Sequence, residues 1–462
     1  MMTGDGVSVL DHALYRDQFG TPEMRALFTA EASVRRWLEV EVALARAEAA
    51  VGIVPEAAAR EIARAAEALA VDWPALERET ALVGYPILPL VRQLAAACAG
   101  DAGGYVHWGA TTQDIMDTAV VLQCRDALAV VERDLARLEA ALADLARRHR
   151  DTVMAGRTHG QHALPITFGY KVAVWVAEVR RHRTRCRELA PRLLVGQLAG
   201  AAGTLASLGT AGEAVQRGMM AGLGLDVPPI AWHVARDGLA ELAGVLGMVC
   251  ATGGKLGQEV ALLARTEIGE LEEGYRPGRG ASSTMPQKRN PITSELLIAI
   301  ARIARQEVGL ALDAMAPDHE RATGPWHLEW ACLPALAVLA GGALGRALDL
   351  VGGLTVRPDR MAENLARTDG LIVAEAAMMA LAPRLGRQRA HDVVSEACGD
   401  AIGSGRRLAD VLAARPEVAA VLSPAAVAEA LDPRRYTGLA ARFVDRVVGE
   451  APGAPAREAP DA

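Results

Sequence analysis

Ser282-Ser283-Thr284-Met285-Pro286-Gln287-Lys288-Arg289-Asn290-Pro291 places a hydroxyl pair, a cation and an amide in one short segment. It follows Gly274-Tyr275-Arg276-Pro277-Gly278-Arg279-Gly280-Ala281, a flexible run, so residues 274–291 read as a loop that can close like a lid. Backbone N–H groups in such a turn favour the alkoxide of a serine. Lys288 and Asn290 can hold a carboxylate whose charge grows during reaction. This set suits removal of a proton from the carbon next to a carboxylate.

Long helices are the elements available to position these groups. Among 462 residues, alanine and leucine dominate and aromatics make up 4%. With β-branched alternation rare, the pattern predicts an all-α protein with a large core. Residues 28–51 show helical spacing, and Pro55 and Pro74 punctuate the helices that follow. Residues 118–149 contain neither proline nor glycine and carry Leu122, Leu135, Leu138, Leu142 and Leu145 on one stripe. That predicts a helix of about 45 Å at 1.5 Å per residue. Further helices are expected over 165–190, 236–273, 291–314 and 333–351. Helices this long suggest a central bundle whose leftover apolar surface is covered by other copies. The expected divisions are an N-terminal helical domain at 1–105, a central bundle with the lid at 106–355, a C-terminal helical domain at 356–450, and a disordered tail at 451–462.

The net charge of −7 argues against a nucleic-acid surface. Six scattered cysteines without a CxxC pair read as free thiols of a reducing cytoplasm. No signal peptide is visible, and no uninterrupted apolar run of about 20 residues predicts a membrane span. No metal-ligand cluster, phosphate loop or dinucleotide fingerprint appears, so no cofactor or metal is implied.

Other segments add polar groups. His107-Trp108-Gly109-Ala110-Thr111-Thr112-Gln113-Asp114 precedes the long helix. Two readings stand for it: Thr111, Thr112 and Asp114 cap the helix, or the helix N-terminus binds a carboxylate. Gly156-Arg157-Thr158-His159-Gly160-Gln161 offers His159 as a proton carrier near neutral pH. Residues 200–207 are small, which suits either substrate approach or helix packing. Arg236 can grip a carboxylate through two hydrogen bonds or form a surface pair with Asp237. Arg321, in a polar and aromatic stretch, faces either an anion or another subunit.

The lid segment resembles the GSSxMPxKxNP signature of the fumarase/aspartase superfamily, with Ala281 in place of the first glycine. Residues 107–118 resemble its HxGxTSxDxxDT region, with Thr112 where serine is usual, and residues 156–161 resemble its GRTHxQ loop. The resemblance runs from about residue 20 to 445. It implies Ser282, His159, Glu295 and Lys288 as catalytic residues, with His159 paired to Glu295. It implies His107, Thr111, Thr112, Gln113, Thr158, Gln161, Arg236, Ser283, Met285, Asn290 and Arg321 as the substrate-binding set. It further implies a small di- or tricarboxylate substrate, no nucleic-acid or membrane partner, and a homotetramer whose active sites are shared between subunits.

Within the superfamily, residues 84–91, 107–111, 200–207, 319–326 and 371–387 resemble the 3-carboxy-cis,cis-muconate cycloisomerase branch. Bacterial members of that branch typically carry tryptophan where His159 stands and lack a glutamate at Glu295. Retention of both leads to the expectation of β-elimination from a substituted succinate, with C–N cleavage releasing fumarate and a nitrogen leaving group. Cycloisomerisation is the first alternative. Adenylosuccinate cleavage is the second, although the nucleotide-contacting histidine motif is missing near 84–88. A purely structural role, as in the lens crystallins of this superfamily, fits poorly with the intact catalytic set.

Overall fold

The structure, a computed structural model, describes residues 6–276, 278–321 and 324–449; the tail expected at 451–462 lies outside the described residues. Helices dominate it. Helix α1 (Ala30–Ala50) starts where Thr29 Oγ1 accepts the Ala32 N–H at 3.2 Å. Its buried residues include Val34, Leu38, Glu41, Ala45 and Glu48, a stripe with alternating spacings of four and three. Two positions on that otherwise apolar stripe are therefore glutamates.

Helix α2 (Thr112–Arg148) begins ahead of the expected residue 118. Asp114 closes its first turn by accepting the Thr111 N–H at 3.0 Å, one half of a capping box. The next segment departs from the helical expectation. Strands β1 (Val153–Thr158) and β2 (Gln161–Thr167) form an antiparallel hairpin, and Pro165 pairs with Ala155 instead of starting a helix. Helix α3 (Phe168–Leu193) follows. The signal was a two-residue turn: His159 and Gly160 have φ of 52° and 76°, the geometry that suits tight hairpins.

Helix α4 (Asp237–Leu263) ends well before residue 273. Its glycines serve close approach: a Cβ at Gly254 would lie 2.4 Å from Ala301 Cβ on α5 (Ile292–Asp313). Helix α6 (Pro325–Gly353) is longer than expected and includes Pro334. Strands β3 (Leu271–Glu272) and β4 (Thr355–Val356) pair antiparallel.

Contacts group the chain into two compact units. One comprises residues up to Leu135, His182–Gly254 and Leu296–Arg346; the other comprises Ala136–Arg181, Lys255–Glu295 and Ala347 onward. The first unit buries Leu44, Ile87, Ile115, Leu122, Val215 and Met219 in one cluster and Ile62, Leu90 and Leu94 in another. Fully burying such a side chain contributes about 1.5–3 kcal/mol. The second unit packs Ala155 of β1 against Leu365, Val373, Leu381 and Val393. There Arg150 also grips Asp445 through two bonds of 2.7 and 2.6 Å.

Helices α4 and α6 are long and apolar enough to cross a membrane by length and composition alone. Their apolar windows are 61% and 67% buried within the fold, which marks them as core helices.

Candidate active site

The loop at residues 280–290 is braced on itself by backbone geometry. Ala281 bridges to Arg289, and both the backbone N–H and the side-chain amide of Asn290 donate to the Gly280 carbonyl at 3.1 Å. Gly280 has φ of 66°, and a Cβ there would lie 2.6 Å from the Asn290 carbonyl oxygen. No other residue fits this crossing point without displacement. Asn290 thus braces the loop with the same Nδ2 that was expected to hold substrate.

Inside that loop, Ser282 Oγ accepts the Met285 N–H at 3.0 Å and the Thr284 N–H at 3.3 Å. Two donors aimed at one hydroxyl oxygen would stabilise an alkoxide there. Ser283, Met285 and Lys288 are exposed on the same loop.

The lid leads into α5, and the start of that helix is fixed by a residue from outside it. Glu273 accepts the N–H groups of Thr293 at 3.1 Å and Ser294 at 2.7 Å. A carboxylate at a helix N-terminus meets both unpaired N–H groups and the favourable end of the helix dipole. Glu295 lies in that first turn and is exposed.

His159 stands at the exposed tip of the β1–β2 hairpin, between Thr158 and Gln161, which pair across the turn. Arg157 anchors the hairpin by bonding the buried Glu270 at 3.0 and 2.6 Å. Asn364 donates to the same carboxylate at 2.8 Å. Among the described residues His159 and Glu295 share no hydrogen bond or ion pair, so one chain does not assemble the expected couple.

In the other unit, the loop before α2 meets two further segments. Asp114, fully buried, accepts the N–H groups of Ala199 at 3.0 Å and Gly200 at 2.9 Å and contacts His233 Nε2 at 2.8 Å. The small-residue segment at 200–207 is thereby tied to the helix start. Arg321 donates to Thr111 Oγ1 at 2.8 Å and to the Ala201 carbonyl at 2.9 Å. The contact brings Arg321 beside Thr111 at the α2 N-terminus, the kind of end that can bind an anion. Of the two readings of Thr111–Asp114, the capping one is seen at Asp114, and Thr111 and Arg321 are partly accessible.

Two expected substrate ligands prove to be internal. Arg236 is 2% exposed and lies between two carboxylates, Asp117 at 2.7 and 2.9 Å and Glu329 at 2.8 Å through Nε. Burial alone would pull its guanidinium down, but Asp117 and Glu329 outweigh that and hold it above its ordinary value. Trp326 Nε1 donates to Asp117 at 3.1 Å, and Trp232 lies 4.9 Å beneath the guanidinium. With its donors committed to protein carboxylates, Arg236 has none for a substrate. Gln113, 1% exposed, likewise donates to Asp117 and to the His233 carbonyl at 3.1 and 3.0 Å.

His107 differs from both. Its Nδ1 lies 2.6 Å from Oε1 of Glu41, a residue that sequence inspection did not select. Burial pulls the imidazole down, but the hydrogen bond and charge of Glu41, with the charge of Asp114, leave it above the usual histidine range. The available signal was the acidic position on the α1 stripe.

Residues 16–305 match the family described as lyase, and residues 370–447 match the adenylosuccinate lyase C-terminus. The chain is 46% identical over 440 residues to the 3-carboxy-cis,cis-muconate cycloisomerase of Pseudomonas aeruginosa, covering 95% of this chain and 96% of that one. The solved structure of the 3-carboxy-cis,cis-muconate lactonizing enzyme of Pseudomonas putida is 42% identical, with a TM-score of 0.88 over 93% of this chain and 97% of that one. A solved fumarate lyase from Mesorhizobium sp. BNC1 is 51% identical, with a TM-score of 0.89 over 94% and 99%.

These similarities correct the expected reaction. C–N cleavage releasing fumarate gives way to the cycloisomerase alternative, because relatives of near-full-length similarity carry that name. The expectation had rested on a His159–Glu295 acid pair for a departing amine. A ring closure expels no amine.

Proposed function

Because the chain belongs to the lyase family, within the fumarase/aspartase superfamily and its carboxymuconate cycloisomerase-like branch, we propose that it closes 3-carboxy-cis,cis-muconate to a lactone. What carries the reading is the doubly donated Ser282 hydroxyl in a chain several of whose near-full-length relatives are named for this ring closure. One substrate carboxylate oxygen adds to the alkene carbon β to another carboxylate. A C–O bond forms, the C=C π pair moves toward the second carboxylate, and an aci-carboxylate results. Ser282 then gives its proton to the intervening carbon. The Met285 and Thr284 N–H groups hold the alkoxide until water reprotonates it. By microscopic reversibility, this hydroxyl is the group that would remove a proton in the reverse direction. The carboxylate that becomes the ester loses its charge, so a fully ionised substrate takes up one proton from solvent per turnover.

In this reading Lys288 stabilises the aci-carboxylate, with Ser283, Met285 and Asn290 shaping the lid around it. His107, Thr111, Thr112 and Arg321 receive a carboxylate in a second segment, and Thr158 and Gln161 do so beside His159 in a third. Exposed catalytic groups on separate segments favour a homotetramer in which different copies complete each site. The six free thiols suit a reducing cytoplasm. The three-part division at 1–105, 106–355 and 356–450 belongs to the same reading.

The test is direct. Purified full-length protein is mixed with 3-carboxy-cis,cis-muconate, and the product is followed by mass spectrometry and NMR together with proton uptake. An isomer with one fewer alkene and one proton taken up supports the proposal. Unchanged diene in the presence of folded protein sinks it. Mixing two inactive variants, Ser282→Ala and Arg321→Ala, then checks site sharing: regained activity after subunit exchange supports composite sites, and none argues against them.

A further inference from the structure

Helix α1 carries its buried face at positions 34, 38, 41, 45 and 48, and the residue at 41 is a glutamate only 2% exposed. A carboxylate so placed is strongly unfavourable unless a cation or donors meet it. The partner of Glu41 among the described residues is His107, through Nδ1 at 2.6 Å. Oε2 of Glu41 has no partner among the described residues. With Glu41 ionised, the contact places a proton on Nδ1. The other ring nitrogen of His107 has no partner among the described residues, and its side chain is 21% exposed.

The backbone adds to the constraint. His107 has φ of 62°, a left-handed conformation that is uncommon for a residue with a side chain. That conformation turns His107 back onto α1 while Gly109 to Thr112 lead into α2. The same loop holds Thr111, whose hydroxyl receives Arg321. The charged groups facing His107 are Glu41 from α1 and Asp114 from α2. Asp114 is itself engaged by the N–H groups of Thr111, Ala199 and Gly200 and by His233. Glu41 is thus the acidic partner in direct contact with the ring.

We propose that Glu41 is a positioning residue: it holds His107 through Nδ1 so that a charged imidazole presents Nε2–H to a substrate carboxylate. The proposal rests on the tricarboxylate reading of the site for the identity of the ligand. The geometry of the pair stands apart from that reading. Glu41 touches no substrate. It acts through His107, so its removal should weaken binding more than it slows the chemical step.

The experiment uses the full-length enzyme and tricarballylate, a saturated tricarboxylate that cannot react. Its binding is measured by calorimetry between pH 6 and pH 9 for wild type, Glu41→Gln, His107→Gln and the double variant. Glu41→Gln should weaken binding by about tenfold or more at pH 8 and much less at pH 6, where an unassisted histidine is charged anyway. The double variant should bind no more weakly than His107→Gln alone. In turnover of 3-carboxy-cis,cis-muconate, Glu41→Gln should raise KM about tenfold with kcat within about threefold.

Equal weakening at every pH, or losses that simply add in the double variant, would overturn the assignment. Should Glu41→Gln fail to fold, wild type and His107→Gln decide. A His107-dependent affinity that fades between pH 6 and pH 8 in wild type shows that Glu41 does not keep the ring charged. One that persists supports the proposal. Wild type that binds tricarballylate but makes no lactone would refute the functional reading and leave Glu41 assigned. Lactone formation without the pH-dependent loss would do the reverse.

Discussion

Arg236 and Lys288 are both cations that the sequence offers to a substrate carboxylate, yet they lie in contrasting surroundings. Arg236 is buried between Asp117 and Glu329, with Trp326 donating to the same network. Lys288 is exposed on a loop whose backbone is braced by Gly280 and Asn290 and whose Ser282 oxygen receives two N–H groups. One region has its charges satisfied internally and fixes three chain segments to each other. The other has satisfied its backbone and left side chains outward. A buried ion pair is costly to break because its partners cannot return to water. An exposed group can be removed with little structural effect and a large chemical one. The contrast separates framework from chemistry within residues that look alike in the chain.

The strongest way to sharpen this comparison is Ser282→Ala. The variant should lose about a hundredfold to ten-thousandfold in kcat for lactonisation, the range for a positioned acid or base. Its stability to denaturant should stay within about 0.5 kcal/mol of wild type. Turnover near wild type would remove Ser282 from the mechanism and erase the distinction between the regions.

Arg236→Met should show the opposite pattern, with a loss of about 3–5 kcal/mol in stability because Asp117 and Glu329 are left buried and unpaired. Replacing all three charges by apolar residues should recover most of that loss in a denaturation experiment. A stable Arg236→Met enzyme with a raised KM would instead restore Arg236 as a substrate ligand.

Glu48 offers a test on the framework side by pH. It is fully buried on α1, and burial, with the charge of Glu41, pushes its carboxyl up to about 8. Its ordinary value is 4.5, so the folded state holds a proton that the unfolded state releases above that pH. The stabilising contribution is complete below the unfolded value and is lost as pH rises through the folded value, at roughly 1 kcal/mol per pH unit between them. Glu48→Gln should therefore gain stability relative to wild type as pH increases from 5 to 8, with little further gain above. Parallel stability curves for the two proteins would refute the buried, protonated assignment. The smallest effect is expected at the hairpin tip: His159→Asn, which tolerates the left-handed turn, should keep kcat within about threefold because ring closure expels no amine. A loss above a hundredfold would give His159 a chemical role.

The amino-acid sequence by itself determined the all-α class and the family, because these depend on local periodicity and on contiguous motifs such as Ser282 to Asn290. It also held two signals that went unread: the His159-Gly160 turn of the hairpin, and the acidic positions 41 and 48 on an apolar stripe. Pro165 was read as the start of a helix because short strands leave little periodic trace beside long helices. Tertiary structure alone decided how each charge is used. It placed Asp117 and Glu329 on either side of Arg236, Glu41 beside His107, Glu270 beneath Arg157 and Glu273 at the start of α5. Those partners lie from about twenty to more than a hundred residues away in the chain. No local pattern encodes them, because whether a charge faces substrate or protein depends on what the fold brings within about 3 Å of it.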